Sequence, residues 1–74
     1  MMDSMKQMCK LAARQANIAL ENVANIRACL RVQVQNLNGE ARKSAIEQRE
    51  VLDAAEEALS LAINLINQAK QIRV

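Results

Sequence analysis

The sequence predicts an all-α fold, a long antiparallel hairpin of two helices that assembles into a four-helix or larger bundle. The 74 residues contain no proline and a single glycine, Gly39, which stands at the midpoint of the chain. Apolar residues recur at helical spacing on both sides of it, and strong helix formers dominate. We therefore expect one domain, residues 1–74, with helix 1 at about 3–37, a turn at Asn38-Gly39 and helix 2 at about 40–72.

Helix 1 carries two apolar rows of the kind that line a coiled-coil seam. Members of a row are seven residues apart, and the second row follows the first by three residues. The first row is Met2, Cys9, Ala16, Val23, Leu30 and Leu37, and the second is Met5, Ala12, Ala19, Ile26 and Gln33. A further stripe, Leu11, Ile18 and Val32, lies about 200° around the helix from the first row. Because one partner helix cannot cover both sides, the hairpin is not expected to function alone.

Helix 2 repeats this pattern. Its first row is Ala45, Leu52, Leu59 and Ile66, its second row is Ala55, Ala62 and Ala69, and one flank adds Val51, Ala58, Leu65 and Ile72. Leu61 and Ile63 then make the C-terminal half apolar nearly all round. A helix of this kind is buried on several sides.

The position of the turn also predicts which residues face each other. Antiparallel partners have residue numbers that sum to about 77. This register brings two arginines close to three acidic residues, Arg27 and Arg31 to Glu47, Glu50 and Asp53. It also places Glu21 opposite Glu56, a mild misfit that is tolerable if both side chains face water.

A single hairpin has too small an interface to be stable by itself. Ordering the backbone costs about 1–2 kcal/mol per residue, which one helix–helix seam is not expected to offset. Self-association is the remedy, and a two-fold dimer is its simplest closed form. The predicted oligomer or partner interface consists of Leu11, Ile18, Val32, Leu61, Ile63 and Leu65.

Basic residues gather at one end of the predicted hairpin. Lys6, Lys10 and Arg14 recur every four residues, and antiparallel pairing brings Lys70 and Arg73 to the same end. Phosphate groups or an acidic protein surface would suit such a strip. These residues are the candidate anion-binding or nucleic-acid-binding site.

The composition argues against an enzyme. Histidine and aromatic residues are absent, and one glycine cannot form a phosphate-binding loop. Carboxylates cluster between residues 47 and 57, and Glu47, Glu50 and Glu57 follow the solvent side of helix 2. We therefore predict no catalytic residues, no metal and no cofactor. Cys9 and Cys29 are about 30 Å apart on one helix, too far for a disulfide within the chain, and are interpreted as small buried hydrophobic residues.

Targeting signals are also absent from the sequence. The first residues lack the apolar run of a secretory signal, and the most apolar window, residues 58–66, is far shorter than the roughly 20 residues that span a bilayer. The chain is expected in the cytoplasm. We predict a non-enzymatic, oligomeric interaction module, a small bacterial or phage regulator or inhibitor that binds another macromolecule. The alternatives are a nucleic-acid-binding or nucleotide-binding protein that uses its basic end, and a structural protomer of a helical assembly.

Overall fold

The computed structural model describes residues 2–72, which form two long helices joined by a short turn. Helix α1 spans Met2–Val34 and helix α2 spans Gly39–Gln71. The helices pack against each other side by side, and the molecule measures 56 × 14 × 11 Å. The prediction of an all-α helical hairpin is therefore confirmed.

The turn differs from the prediction in its position. Helix α1 ends at Val34, three residues before the predicted end. The N–H of Asn36 donates to the carbonyl oxygen of Gln33 at 2.9 Å, which tightens the last turn and satisfies a helix-end carbonyl. Asn38 is extended, and Gly39 has a φ of +61°. Gly39 thus adopts a left-handed conformation within the predicted turn, and it is the first residue of α2.

The two helices meet along a seam in which partly covered residues recur at alternating spacings of three and four. Val34 and Ala45 are its most buried members, at 8% and 5% exposure. The seam consists of Cys9, Ala13, Ala16, Leu20, Val23, Arg27, Leu30 and Val34 on α1, and Ala45, Arg49, Leu52, Glu56, Leu59, Ile63, Ile66 and Lys70 on α2. Within residues 4–72, the first row predicted for each helix lies in this seam or continues it into the turn at Leu37.

The predicted second rows are largely wrong. On α1 only Ala19 is half-buried, whereas Met5, Ala12, Ile26 and Gln33 are exposed. On α2 the first two alanines of the row are half-buried, but Ala69 and the flanking residues Val51, Ala58, Leu65 and Ile72 are exposed. The helices are instead rotated toward the opposite flank, which carries Leu20, Val34 and Ile63. The same flank carries Arg27, which forms ion pairs with α2.

Candidate interaction surfaces

Arg27 occupies a seam position and joins the two helices. Its Nη1 donates to Oδ1 of Asp53 at 2.9 Å and also to Oε2 of Glu56. The predicted proximity of Arg27 and Asp53 is therefore confirmed. Of the two glutamates that the register places opposite each other, Glu21 is exposed. Glu56 does not face water, because its side chain is only 20% exposed and is paired with Arg27.

A groove of about 710 Å³ runs beside these ion pairs on one side of the seam. We call this side the polar face, and its groove is lined by Arg27, Arg31, Arg49, Asp53, Glu56, Glu57 and Ser60. The lining contains three guanidinium groups and three carboxylates, so the groove has no net charge. Such a mixture favours pairing between the helices over capture of an ion from solution.

The other side of the seam is different in chemistry. Ile26 points about 100° away from Arg27, and it lines a second groove of about 590 Å³ together with Leu30, Ser44, Glu47, Gln48, Val51 and Leu52. Glu47 is the one charged residue in this lining. It belongs to a row of residues, spaced seven apart, that lies on the outer side of α2. This groove is part of a longer surface along the hairpin.

We call that longer surface the apolar face, and helical periodicity defines its members. They are Met5, Met8, Ala12, Gln15, Ala19, Asn22, Ile26, Cys29 and Gln33 on α1, and Ser44, Gln48, Val51, Ala55, Ala58, Ala62, Leu65 and Ala69 on α2. Ile72, the extended residue that follows α2, continues the face. None of these residues is charged. Its large members Met5, Met8, Ile26, Val51, Leu65 and Ile72 are 51–69% exposed.

The six residues predicted to form one interface lie on three different sides of the hairpin. Leu11, Ile18 and Val32 are exposed on the side of α1 opposite the seam, which we call the back stripe. Leu61 is exposed at the corresponding position of α2, whereas Leu65 belongs to the apolar face. Ile63 is half-buried in the seam. The structure therefore does not bring the six together in one chain.

The predicted basic site is retained at the open end of the hairpin, away from the turn. Lys6, Lys10 and Arg14 are exposed, and Lys70 is half-buried. Arg73, which was also predicted to belong to this site, lies outside the described residues. Residues 4–20 and 58–72 contain four basic residues and no acidic residue, although Asp3 precedes them in the sequence. We call these four described residues the basic end.

The cysteines are both free, and they differ in environment. Cys9 is half-buried in the seam, whereas Cys29 is exposed on the apolar face. The interpretation of Cys29 as a buried residue is therefore wrong. Within residues 4–72, no three side chains of His, Cys, Asp or Glu converge as they would around a metal ion.

Comparison with known proteins adds no functional assignment. No protein-family model matches the chain, and no curated protein or solved structure is significantly similar to it. Neither helix, over the part of the chain that the structure describes, offers a stretch long and apolar enough to cross a membrane. The functional argument therefore rests on the surfaces of the hairpin.

Sequence reasoning missed the apolar face as a separate surface, although the sequence contains a signal for it. The two seven-residue rows that begin at Met5 and Met8 contain no charged residue in α1, and those that begin at Ser44 and Gln48 contain none in α2. Absence of charge along adjacent rows distinguishes a face that avoids water from one that merely includes apolar residues.

Proposed function

We propose that this chain is a non-enzymatic helical-bundle interaction module, which associates with itself and regulates or inhibits another macromolecule. The observation that carries the proposal is the exposure of ten large apolar side chains, 51–69% each, on several sides of the hairpin. Exposed apolar surface on this scale marks sites of association. As a small regulator of bacterial or phage origin, the module would act in the cytoplasm.

The back stripe is the surface proposed to bind the macromolecular partner. Leu11, Ile18 and Val32 follow one line on α1, at 51–62% exposure. A partner protein with an apolar groove would accept them as helical anchors at seven-residue spacing. Asn25 lies in the same line, between Ile18 and Val32, and it would provide a polar contact to the partner.

The test of this assignment compares two aspartate substitutions at neighbouring positions. Ile18→Asp puts a charge into the back stripe, whereas Asn17→Asp puts the same residue at an exposed polar position. Partners retained by the wild-type chain are identified by affinity purification from the source cells, and their affinities for each purified variant are then measured. We expect Ile18→Asp to weaken binding at least about tenfold and Asn17→Asp to leave it within about threefold. A partner that binds Ile18→Asp as tightly as the wild type would contradict the assignment.

A second candidate function is nucleic-acid or nucleotide binding at the basic end. It is favoured by the absence of acidic residues from residues 4–20 and 58–72, where Lys6, Lys10, Arg14 and Lys70 lie. Arg73 would extend the same site. Phosphate contacts release counterions, so this binding would weaken steeply as salt rises.

Fluorescence anisotropy with labelled single-stranded and duplex oligonucleotides tests this candidate. If it is correct, the double variant Lys10→Glu, Arg14→Glu loses binding. The control variant Arg42→Glu, Lys43→Glu makes the same charge change on exposed residues near the turn and keeps most of the affinity. Equal losses in the two variants would indicate a general effect of net charge, and no binding by the wild type would exclude the candidate.

A further inference from the structure

The hairpin exposes more surface than a folded monomer of its mass. Its accessible surface is 5980 Å², whereas an ordinary 8.2 kDa monomer exposes about 4,500 Å². The excess of about 1,500 Å² lies within the roughly 1,000–2,500 Å² that each copy buries in an obligate homodimer. The chain therefore has the surface of one half of a compact assembly.

The apolar face is the surface whose burial would remove this excess. It lies beside the seam, so a second layer placed on it would complete a four-helix core. Its alanines, among them Ala12, Ala58 and Ala69, allow helices to approach closely. Larger residues such as Ile26 and Leu65 supply area to bury. The rows that define the face have no charged member, so the one charge that a second layer must accommodate is Glu47, which lines the groove from the outer side of α2.

A second copy of the chain fits this face better than an unrelated protein does. The face extends along helices of 33 residues each, about 50 Å long, so its occupant must present an apolar surface of similar length. The chain itself carries one. A two-fold interface brings the same patch together twice, and a face without charge has no like-charge contacts in that arrangement.

The distribution of charge determines the relative direction of the two copies. The open end, residues 4–20 and 58–72, carries four basic and no acidic residues, a net charge of +4. The half nearer the turn, residues 21–57, carries five basic and seven acidic residues, a net charge of −2. Copies with their turns at the same end would place basic beside basic, whereas opposite directions place the open end beside the partner's acidic half. The burial of apolar surface does not depend on the relative direction of the two copies. The charges therefore determine that direction.

We infer that a second copy of the chain docks on the apolar face in the opposite direction, with the two turns at opposite ends of a four-helix bundle. The back stripe then remains on the outside. This inference rests on the self-association in the proposed function, and it names the face and the orientation. The inference does not depend on whether the back stripe binds another macromolecule.

The face is tested by one substitution made at two equally exposed positions of α1. Ile26 and Ile18 are both 51% exposed, so aspartate removes a similar apolar contact within the hairpin at each. Sedimentation equilibrium should show a dissociation constant raised by more than about a hundredfold for Ile26→Asp, since each interface acquires two buried charges. Ile18→Asp should stay within about threefold of the wild type. Equal effects at the two positions, or dissociation by Ile18→Asp alone, would overturn the assignment of the face.

The orientation is tested by a distance measurement that leaves the interface almost unchanged. A spin label is attached at Asn36→Cys, an exposed turn position, after Cys9 and Cys29 are replaced by alanine. Double electron–electron resonance should then report about 50 Å between the labels of a dimer, because the turns are one helix length apart. A distance below about 25 Å would overturn the orientation and leave self-association intact. A chain that gives no intermolecular distance and sediments as a monomer would overturn both this inference and the self-association on which it rests.

Discussion

The two faces that flank the seam are built from the same helices, but they differ in how far their side chains find partners within the chain. The polar face carries its own partners, since Arg27 reaches both Asp53 and Glu56 across the seam. The apolar face has large side chains that contact little within the chain, and Val51 and Ile72 are 69% and 67% exposed. The comparison teaches that one side of the hairpin is complete by itself, whereas the other has the composition of a core that is still uncovered.

The largest effect is expected from a substitution on the part of the apolar face that α2 contributes. Leu65 and Leu61 have similar exposures of 53% and 58%, but Leu65 lies on the apolar face and Leu61 on the outer side. We expect Leu65→Asp to convert the dimer to monomer at micromolar concentration, because a buried charge without a partner is strongly unfavourable. Size-exclusion chromatography with light scattering measures the mass. Leu61→Asp is the control, and a monomeric Leu61→Asp beside a dimeric Leu65→Asp would reverse the assignment of the two sides.

An intermediate effect is expected on the polar face. Arg27→Ala leaves Asp53 and Glu56 without their common donor, and we expect the free energy of unfolding to fall by about 1–2 kcal/mol. Water reaches Arg27 and Asp53, which are 34% and 47% exposed, and screening by this water keeps the loss from being larger. Urea denaturation at one fixed protein concentration measures the change.

Arg31→Ala is the matched control for this prediction. Arg31 lines the same groove and is exposed, so its removal should change stability by less than about 0.5 kcal/mol. If the two alanine variants were equally stable, the ion pairs of Arg27 would contribute nothing and the polar face would be complete without them.

The smallest effect is expected at the turn that joins the two helices. Gly39 has a φ of +61°, and a Cβ at this position would meet no atom within 4 Å. Gly39→Ala should therefore lower the free energy of unfolding by about 1 kcal/mol through backbone strain alone. Gly39→Asn should lower it less, because asparagine tolerates the left-handed conformation. Urea denaturation again provides the comparison, and an alanine variant as stable as the wild type would show that the turn relaxes without strain.

The sequence contained enough information to predict the hairpin and half of its seam. A chain without proline and with one central glycine has one natural place to reverse, and the rows containing Val23 and Leu52 are apolar wherever the helices meet. The second rows were not predictable from periodicity, because each helix has apolar residues on both flanks of its first row. The choice between flanks depends on Leu20, Val34 and Ile63, and on the contact of Arg27 with α2, which joins residues far apart in sequence.

The candidate surfaces were predictable to a similar degree. The back stripe follows from spacing along α1, and the basic end follows from spacing along α1 together with the antiparallel pairing that adds Lys70. The structure leaves their described residues exposed, except for the half-buried Lys70. The apolar face depends on the rotation of both helices about the seam, so it could be recognised only once that rotation was known. The end of α1 at Val34 was also not predictable from the sequence. A backbone hydrogen bond from Asn36 closes the helix there, and no residue that breaks helices marks the position.

Native mass spectrometry of the purified chain tests most directly the central claim that one hairpin is half of a bundle. The expected result is a single species at twice the 8.2 kDa chain mass, which persists on dilution to low micromolar concentration. A species at the mass of one chain at every concentration, with cooperative unfolding independent of concentration, would contradict the claim. It would mean that the hairpin is stable with its apolar face exposed to water.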